Sequence, residues 1–66
     1  MTPQAQTVLE HLSQHGPLTG VEAEQVHRIR HLPRRIADLR DMGFNIVTTW
    51  HRDATNQRYA RYTLGA

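Results

Sequence analysis

The sequence contains no cysteine and no lysine, and none of its apolar runs is longer than two residues. Without cysteine, neither a disulfide nor a thiolate zinc site can compensate for a small core. Without a long apolar run, no segment is predicted to span a membrane. Residues 1–12 also lack the basic region and apolar stretch of a signal peptide. We therefore expect a cytoplasmic protein with no membrane partner.

Apolar residues make up 38% of the 66 residues, enough for one packed centre but not for two. This share excludes wholesale disorder, because disordered chains lack the apolar surface that offsets the entropy of ordering. A chain this short buries only about 60% of its unfolded surface, which disfavours a pocket-rich enzyme. The sequence also shows no Ser/His/Asp set, Gly-rich phosphate loop or carboxylate pair. We expect a single domain over residues 1–66 that is not an enzyme and takes neither cofactor nor small-molecule ligand.

The charges are distributed unevenly, although the net charge is only +2. Residues 1–27 contain three glutamates and no arginine, whereas all eight cations, every one an arginine, follow residue 27. Such a distribution favours one basic face and a polyanionic partner. The planar guanidinium of arginine can donate two parallel hydrogen bonds to a phosphate or a guanine, which would explain the use of arginine alone. A GC-rich genome would produce the same absence of lysine.

Five histidines raise the question of a metal site, because His11/His15 and His27/His31 are spaced i, i+4. A stable zinc site needs three or four ligands, and no acid completes either pair at a recognisable spacing. We therefore predict surface histidines and no metal.

Capping residues and apolar spacing predict helices over about residues 3–15 and 20–27. Thr2 and Pro3 are good residues for a helix start, and Gly16 for its end. The segment Thr19–Glu22 has the form of a capping box, in which the Glu22 side chain reaches back to the cap. Residues 17 and 18 can form a very short strand between the two helices. Apolar residues at helical spacing are expected to face inward from these helices: Ala5, Val8, Leu9 and Leu12 in the first, Val21 and Val26 in the second.

A third helix is predicted over about residues 33–42, from Pro33 to a stop at Gly43. Leu32, Ile36 and Leu39 share its apolar face. The preceding residues 27–31 form the turn between helices, with Ile29 as a buried anchor. A short second helix followed after a turn by an arginine-rich third helix is the layout of a helix-turn-helix.

Beyond Gly43 the pattern alternates and is rich in β-branched and aromatic residues, which predicts a hairpin over about residues 44–64. Its core-facing positions are Phe44, Ile46, Tyr62 and Leu64. Trp50 has the same parity and is expected to pack beneath the hairpin; the alternative is that it is partly exposed beside the loop and stacks on the bases of a nucleic acid. The polar loop that joins the strands contains turn-forming residues. Because an isolated hairpin is marginal, this one must pack on the helices.

The order helix, short strand, helix, helix, hairpin is that of a winged helix-turn-helix, an α+β fold. The sequence resembles the small helix-turn-helix domains of bacteriophage genomes. The residues that carry the resemblance are Thr7-Val8-Leu9 with Leu12, Leu18-Thr19, Arg35-Ile36-Ala37-Asp38-Leu39-Arg40, Gly43, Ile46, Thr48 and Ala60-Arg61-Tyr62-Thr63-Leu64. Pro33 at the entry of the third helix departs from the family pattern. The resemblance implies binding to double-stranded DNA, as a transcription regulator or an accessory DNA-architectural factor. Affinity would come from a homodimer or from adjacent copies on DNA.

In this interpretation the third helix enters the major groove, where Arg34 or Arg35 can donate two hydrogen bonds to guanine. Asp38 can accept from cytosine, or neutralise Arg34 at i, i+4 on a solvated face. Residues of the turn are expected to bind phosphate, and residues beside the hairpin loop to bind the backbone or minor groove. The predicted DNA-binding residues are Arg28, Arg30, His31, Arg34, Arg35, Asp38, Arg52 and Arg58.

The main alternative is a protein-interaction module with the same fold. It would bind and inhibit a host protein through the face of the first two helices, where the acidic residues lie. The basic later segment argues against it, although a fold alone does not fix a function.

Overall fold

The computed structural model describes residues 1–65. Three helices, α1 (Pro3–Gln14), α2 (Gly20–His27) and α3 (Leu32–Asp41), precede a hairpin of strands β2 (Ile46–Arg52) and β3 (Arg58–Leu64). A two-residue strand β1 (Leu18–Thr19) lies between α1 and α2. In the described range no helix is long and apolar enough to cross a membrane.

The helix ends follow from local chemistry in the sequence. The hydroxyl of Thr2 accepts the backbone N–H of Ala5 at 3.2 Å, and Thr19 accepts that of Glu22 at the same distance. Gly16 lies just after α1 with a φ angle of +93°, and Gly43 lies just after the C-terminal cap of α3 with a φ angle of +98°. Glycine adopts such positive φ angles without steric cost. Only half of the expected capping box forms, because the Glu22 carboxylate lies 3.7 Å from His11 instead of reaching back.

The sheet is antiparallel with strand order β1-β3-β2, so the hairpin gains a third strand from the segment before α2. Leu18 pairs with Tyr62, and β2 pairs with β3 from Ile46↔Leu64 to Arg52↔Arg58. One face of this sheet covers the helices. The structure is thus α+β, as expected from the sequence.

One hydrophobic core joins all three helices to the sheet. Leu39 and Leu18 have no exposed surface, and Ile29 in the turn is 2% exposed, as its anchoring role requires. Phe44 and Leu64 are half-buried against the same cluster. The buried apolar residues are Ala5, Val8, Leu12, Leu18, Ala23, Ile29, Leu32, Ile36, Leu39, Ile46 and Tyr62.

Three predictions about burial are wrong. Val21 and Val26 of α2 are each 64% exposed, because this short helix contacts the core through Ala23. Trp50 is 61% exposed, since it lies on the core-facing side of β2 but beyond the end of the core. His11, expected at the surface, is only 7% exposed between α1, α2 and the segment before β1.

Arg40 fixes the end of α3 against the hairpin. Its guanidinium donates to the carbonyl oxygen of Ile46 at 2.7 and 3.2 Å and to the hydroxyl of Thr48 at 2.9 Å. In the register of β2 and β3, this carbonyl points away from β3, toward the free edge of the sheet. Arg40 therefore adds polar contacts between α3 and β2 to the hydrophobic core that the two elements share.

Candidate nucleic-acid interface

The turn between α2 and α3 holds three of the predicted DNA-binding residues on its surface. Arg28, Arg30 and His31 are all exposed, in the segment 28–31 that joins the two helices. Arg28 caps α2 in the left-handed conformation, with φ +59° and ψ +34°, and its N–H donates to the carbonyls of Ala23 and Glu24. A left-handed backbone is unfavourable for a residue with a Cβ, so the turn carries strain at an arginine.

The two adjacent arginines in the first turn of α3 differ in their exposure. Arg34 is exposed, whereas the Arg35 side chain is 17% exposed and its Nε lies 3.4 Å from an oxygen of Asp38. This Nε is buried and makes no well-directed hydrogen bond, so the contact with Asp38 is electrostatic in character. The ion pair that we considered between Arg34 and Asp38 is absent within residues 1–65, and Asp38 pairs with Arg35 instead. Arg34 is therefore the arginine of α3 that is available to a ligand.

The hairpin places two further arginines side by side. Arg52 ends β2 and Arg58 begins β3, and the two are directly paired across the strands. Arg52 donates to the side-chain oxygen of Asn56 at 3.0 Å, and the Arg58 guanidinium carbon lies 5.0 Å from the centre of the Trp50 ring. The two like charges are thus held by different neighbours.

Shared surface grooves connect the hairpin to the helix-turn-helix. Arg58 and Arg30 line one cleft, together with the first residues of α2 and with Tyr59. Arg30 also lines a shallow groove with His31 and Arg34. Four of the predicted residues therefore follow one another over the surface, and we call Arg52, Arg58, Arg30 and Arg34 the arginine track.

Acidic groups lie close to the track as well. Glu24 and Asp53 line the same cleft as Arg30 and Arg58. The Asp53 carboxylate accepts from the hydroxyl and N–H of Thr55 and from the N–H of Gln57, and these bonds hold the pKa of Asp53 below its ordinary value. The negative charges of Glu24 and Asp53 oppose the entry of an anion into the cleft. An anionic ligand is therefore best placed beside the arginines that line it.

The structure does not bring every predicted residue onto the track. Arg35 and Asp38 line neither of the two grooves that define the track. They line a third groove beside the start of α1, which Arg34 also lines, so this groove adjoins the track at Arg34. Trp50, by contrast, was assigned to the core and lies beside Arg58 at the surface. No sequence signal separates Trp50 from the core residues of β2, because it has the same parity as Ile46 and the end of the core depends on tertiary packing. Within the described chain, no three His, Asp or Glu side chains are grouped so as to hold a metal ion.

Helices α2 and α3, joined by a four-residue turn, have the layout of a helix-turn-helix, and an antiparallel hairpin follows them in the chain. The family model described as winged helix-turn-helix domain matches residues 3–66, and the chain belongs to this family. The resemblance seen in the sequence is thereby confirmed at the level of the winged helix-turn-helix. No curated protein and no solved structure matches the chain. A winged helix-turn-helix domain suggests DNA binding in general, and such domains are typically not enzymes.

Proposed function

We propose that the chain binds double-stranded DNA in a sequence-specific manner, with the exposed face of α3 in the major groove. The hairpin then lies on the flanking backbone or minor groove. The observation that carries this proposal is the arginine track, which joins the first turn of α3 to the hairpin through Arg30. Four guanidinium groups on one continuous surface match a row of phosphates better than they match a single small anion.

The proposed role of each residue follows from its place on this surface. Arg34 at the start of α3 reads a base edge, where a bidentate contact with guanine discriminates between base pairs. Arg28, Arg30 and His31 in the turn bind phosphates, as do Arg52 and Arg58 on the hairpin. Arg35 and Asp38 hold each other and shape the helix face; a base contact by either requires their ion pair to open.

We further propose that the protein is phage-encoded and acts in the host cytoplasm, as a small transcription regulator or accessory DNA-architectural factor. A domain of this size makes few contacts with one site. Binding by a homodimer, or by adjacent copies on DNA, would raise the affinity without new contacts in each copy.

Selection of bound fragments from a random duplex pool tests the proposal directly, followed by titration of the selected site at several salt concentrations. Contact with about five phosphates predicts that log K falls against log salt with a slope of about −4 to −5. A scrambled duplex should bind more weakly but with a similar slope. Absence of binding at low salt, or a slope near zero, would contradict the DNA proposal.

A second candidate function is supported by the exposure of Val21 and Val26 on α2. The two valines are each 64% exposed and, five residues apart, point about 140° away from each other, so each offers a small apolar contact beside acidic residues to a basic protein partner. In this second candidate function, the domain is a protein-interaction module that binds and inhibits a host protein. Val26 does not line the cleft that contains Arg30 and Arg58. Val26→Ser should therefore leave duplex affinity unchanged if DNA is the main partner, and should weaken binding to the host protein if the α2 surface is the functional one.

A further inference from the structure

Trp50 is a large apolar side chain at an exposed position of the hairpin. It is 61% exposed, although it has the same strand parity as the core residues Ile46 and Tyr62. Its cross-strand partner is Ala60, which offers little side chain to cover the indole. Trp50 therefore stands on the inner face of the hairpin with its ring open to solvent.

Arg58 covers part of this ring. Its guanidinium carbon lies 5.0 Å from the ring centre, within the range of a cation–π contact. Because Arg58 also lines the cleft that contains Arg30, the indole supports one member of the arginine track. A guanidinium that is already held in place loses less rotamer freedom when it binds a phosphate.

The position of Trp50 along the hairpin relates it to α3. Arg40 attaches the end of α3 to Thr48, and Trp50 is the next side chain on that face of β2. Trp50 thus lies between the contact with α3 and the hairpin tip. The cleft that joins the hairpin to the helix-turn-helix is lined by β3, and Arg58 of β3 connects Trp50 to that cleft.

We infer that Trp50 and Arg58 bind DNA as a unit, with the indole packed on deoxyribose and base edges in the minor groove beside the α3 site. Arg58, held over the ring, binds the adjacent phosphate. An aromatic ring can pack on nucleotides without recognising a particular base. Because the indole is apolar, its removal from water on binding is favourable. The inference rests on the proposed function and adds to it a contact that charge alone does not supply.

Trp50 is the single tryptophan of the chain, so intrinsic fluorescence reports on this position alone. Acrylamide quenching of the full-length protein should fall severalfold when a saturating duplex is added at low salt. The control is Trp50→Phe combined with Gln14→Trp, which moves the probe to the exposed last residue of α1, in the acidic segment. Quenching of this control should be the same with and without duplex.

Affinity measured by fluorescence anisotropy of a labelled duplex completes the test. Trp50→Ala should weaken binding by about tenfold or more, because the apolar surface that the indole buries against the duplex is lost. Trp50→Phe should recover most of this loss because it keeps a flat apolar ring. The melting temperatures of both variants should match that of the parent protein, since the indole is largely exposed.

The outcomes separate the inference from the proposed function. If the duplex binds but leaves Trp50 fully quenchable, or if Trp50→Ala binds as well as the parent, the inference is wrong and the DNA proposal stands. If neither the parent protein nor Trp50→Ala binds any duplex at low salt, the proposed function itself fails. Equal losses for Trp50→Phe and Trp50→Ala would also overturn the inference, because an aromatic ring would then not be the feature that matters.

Discussion

The Nδ1 atom of His11 lies 2.9 Å from the Nε2 atom of His27, so a hydrogen bond between two imidazoles joins α1 to α2. The other ring nitrogen of His11 is 3.2 Å from the carbonyl oxygen of Pro17, which can only accept. Nε2 of His11 therefore donates in this contact, and Nδ1 is the atom that faces His27. One buried imidazole thus connects α1, α2 and the segment that leads into β1.

Replacing His11 with alanine should lower the free energy of unfolding by about 1–3 kcal/mol, because both partners lose a hydrogen bond and a cavity is left. His15→Ala is the matched control: this residue lies one turn later on α1 and is exposed, so its loss should change stability by less than about 0.5 kcal/mol. Urea unfolding measures both variants. Equal effects for the two substitutions would mean that the imidazole pair contributes nothing to stability.

Replacing Arg28 with glycine should stabilise the fold while it weakens DNA binding. Glycine adopts the left-handed backbone of this turn without the strain that arginine carries, so we expect a gain of up to about 1 kcal/mol. Loss of the guanidinium should make the salt slope of DNA binding shallower by about one. Arg28→Lys keeps both charge and strain and is the control. A less stable glycine variant would show that the Arg28 side chain makes stabilising contacts that outweigh the strain.

Arg34→Ala and Arg58→Ala should differ in how they impair DNA binding. Loss of a bidentate guanine contact by Arg34 should cost about 1–3 kcal/mol on the selected site and relax preference at one base pair. Loss of Arg58 should weaken binding to selected and scrambled duplexes almost equally and reduce the salt slope by about one. Both variants need titration on both duplexes at several salt concentrations. If Arg34→Ala weakens all duplexes alike, α3 does not read bases through this residue.

The hairpin tip should loosen in acid as Asp53 becomes protonated. Hydrogen bonds from the Thr55 hydroxyl and from backbone N–H groups depress the pKa of Asp53 below 3.8, so the charged form stabilises the folded tip. This contribution is complete above pH 3.8 and is lost as the pH falls through the lower folded-state value. The amide resonances of Thr55 and Gln57 should report a common midpoint below pH 3.8. In Asp53→Asn this transition should disappear; its persistence would assign the titration to another group.

Removal of the hairpin should unfold the helices. Ile46 and Tyr62 belong to the buried cluster, and Leu18 loses its strand partner when β3 is absent. A peptide of residues 1–43 cannot cover the remaining core surface. Circular dichroism should therefore show a largely unfolded peptide without cooperative melting. A cooperative transition in this peptide would show that the three helices form a stable unit by themselves.

Features that depend on neighbouring residues were predictable from the sequence. Thr2 with Pro3 starts α1, Gly43 follows the cap of α3, and the alternating pattern locates the hairpin, because these rules act over a few residues. α3 begins at Leu32 and α1 ends at Gln14, each one residue from the predicted bound. Helix ends depend on fraying and on the capping partner, so an offset of this size is usual.

Features that depend on where the core ends were not predictable. Alternation gave Trp50 the correct face, but it does not indicate how far along β2 the helices extend. His11 was predicted at the surface and is buried, because its burial depends on the approach of His27 from another helix. The ion pair of α3 involves Arg35 instead of Arg34, because Asp38 is equally reachable at i, i+3 and at i, i+4. In each case the decisive neighbour is distant in sequence, or two neighbours compete.

The attachment of α3 to β2 by Arg40 has a consequence for target choice. Since this guanidinium and the shared core both hold the helix against the hairpin, we expect their separation to change little from one duplex to another. If both elements bind one stretch of DNA, the duplex has to bend or change its groove width to fit, at an energy that depends on its sequence. Flexible pyrimidine–purine steps would then be favoured between the α3 site and the hairpin site, at base pairs that no side chain touches.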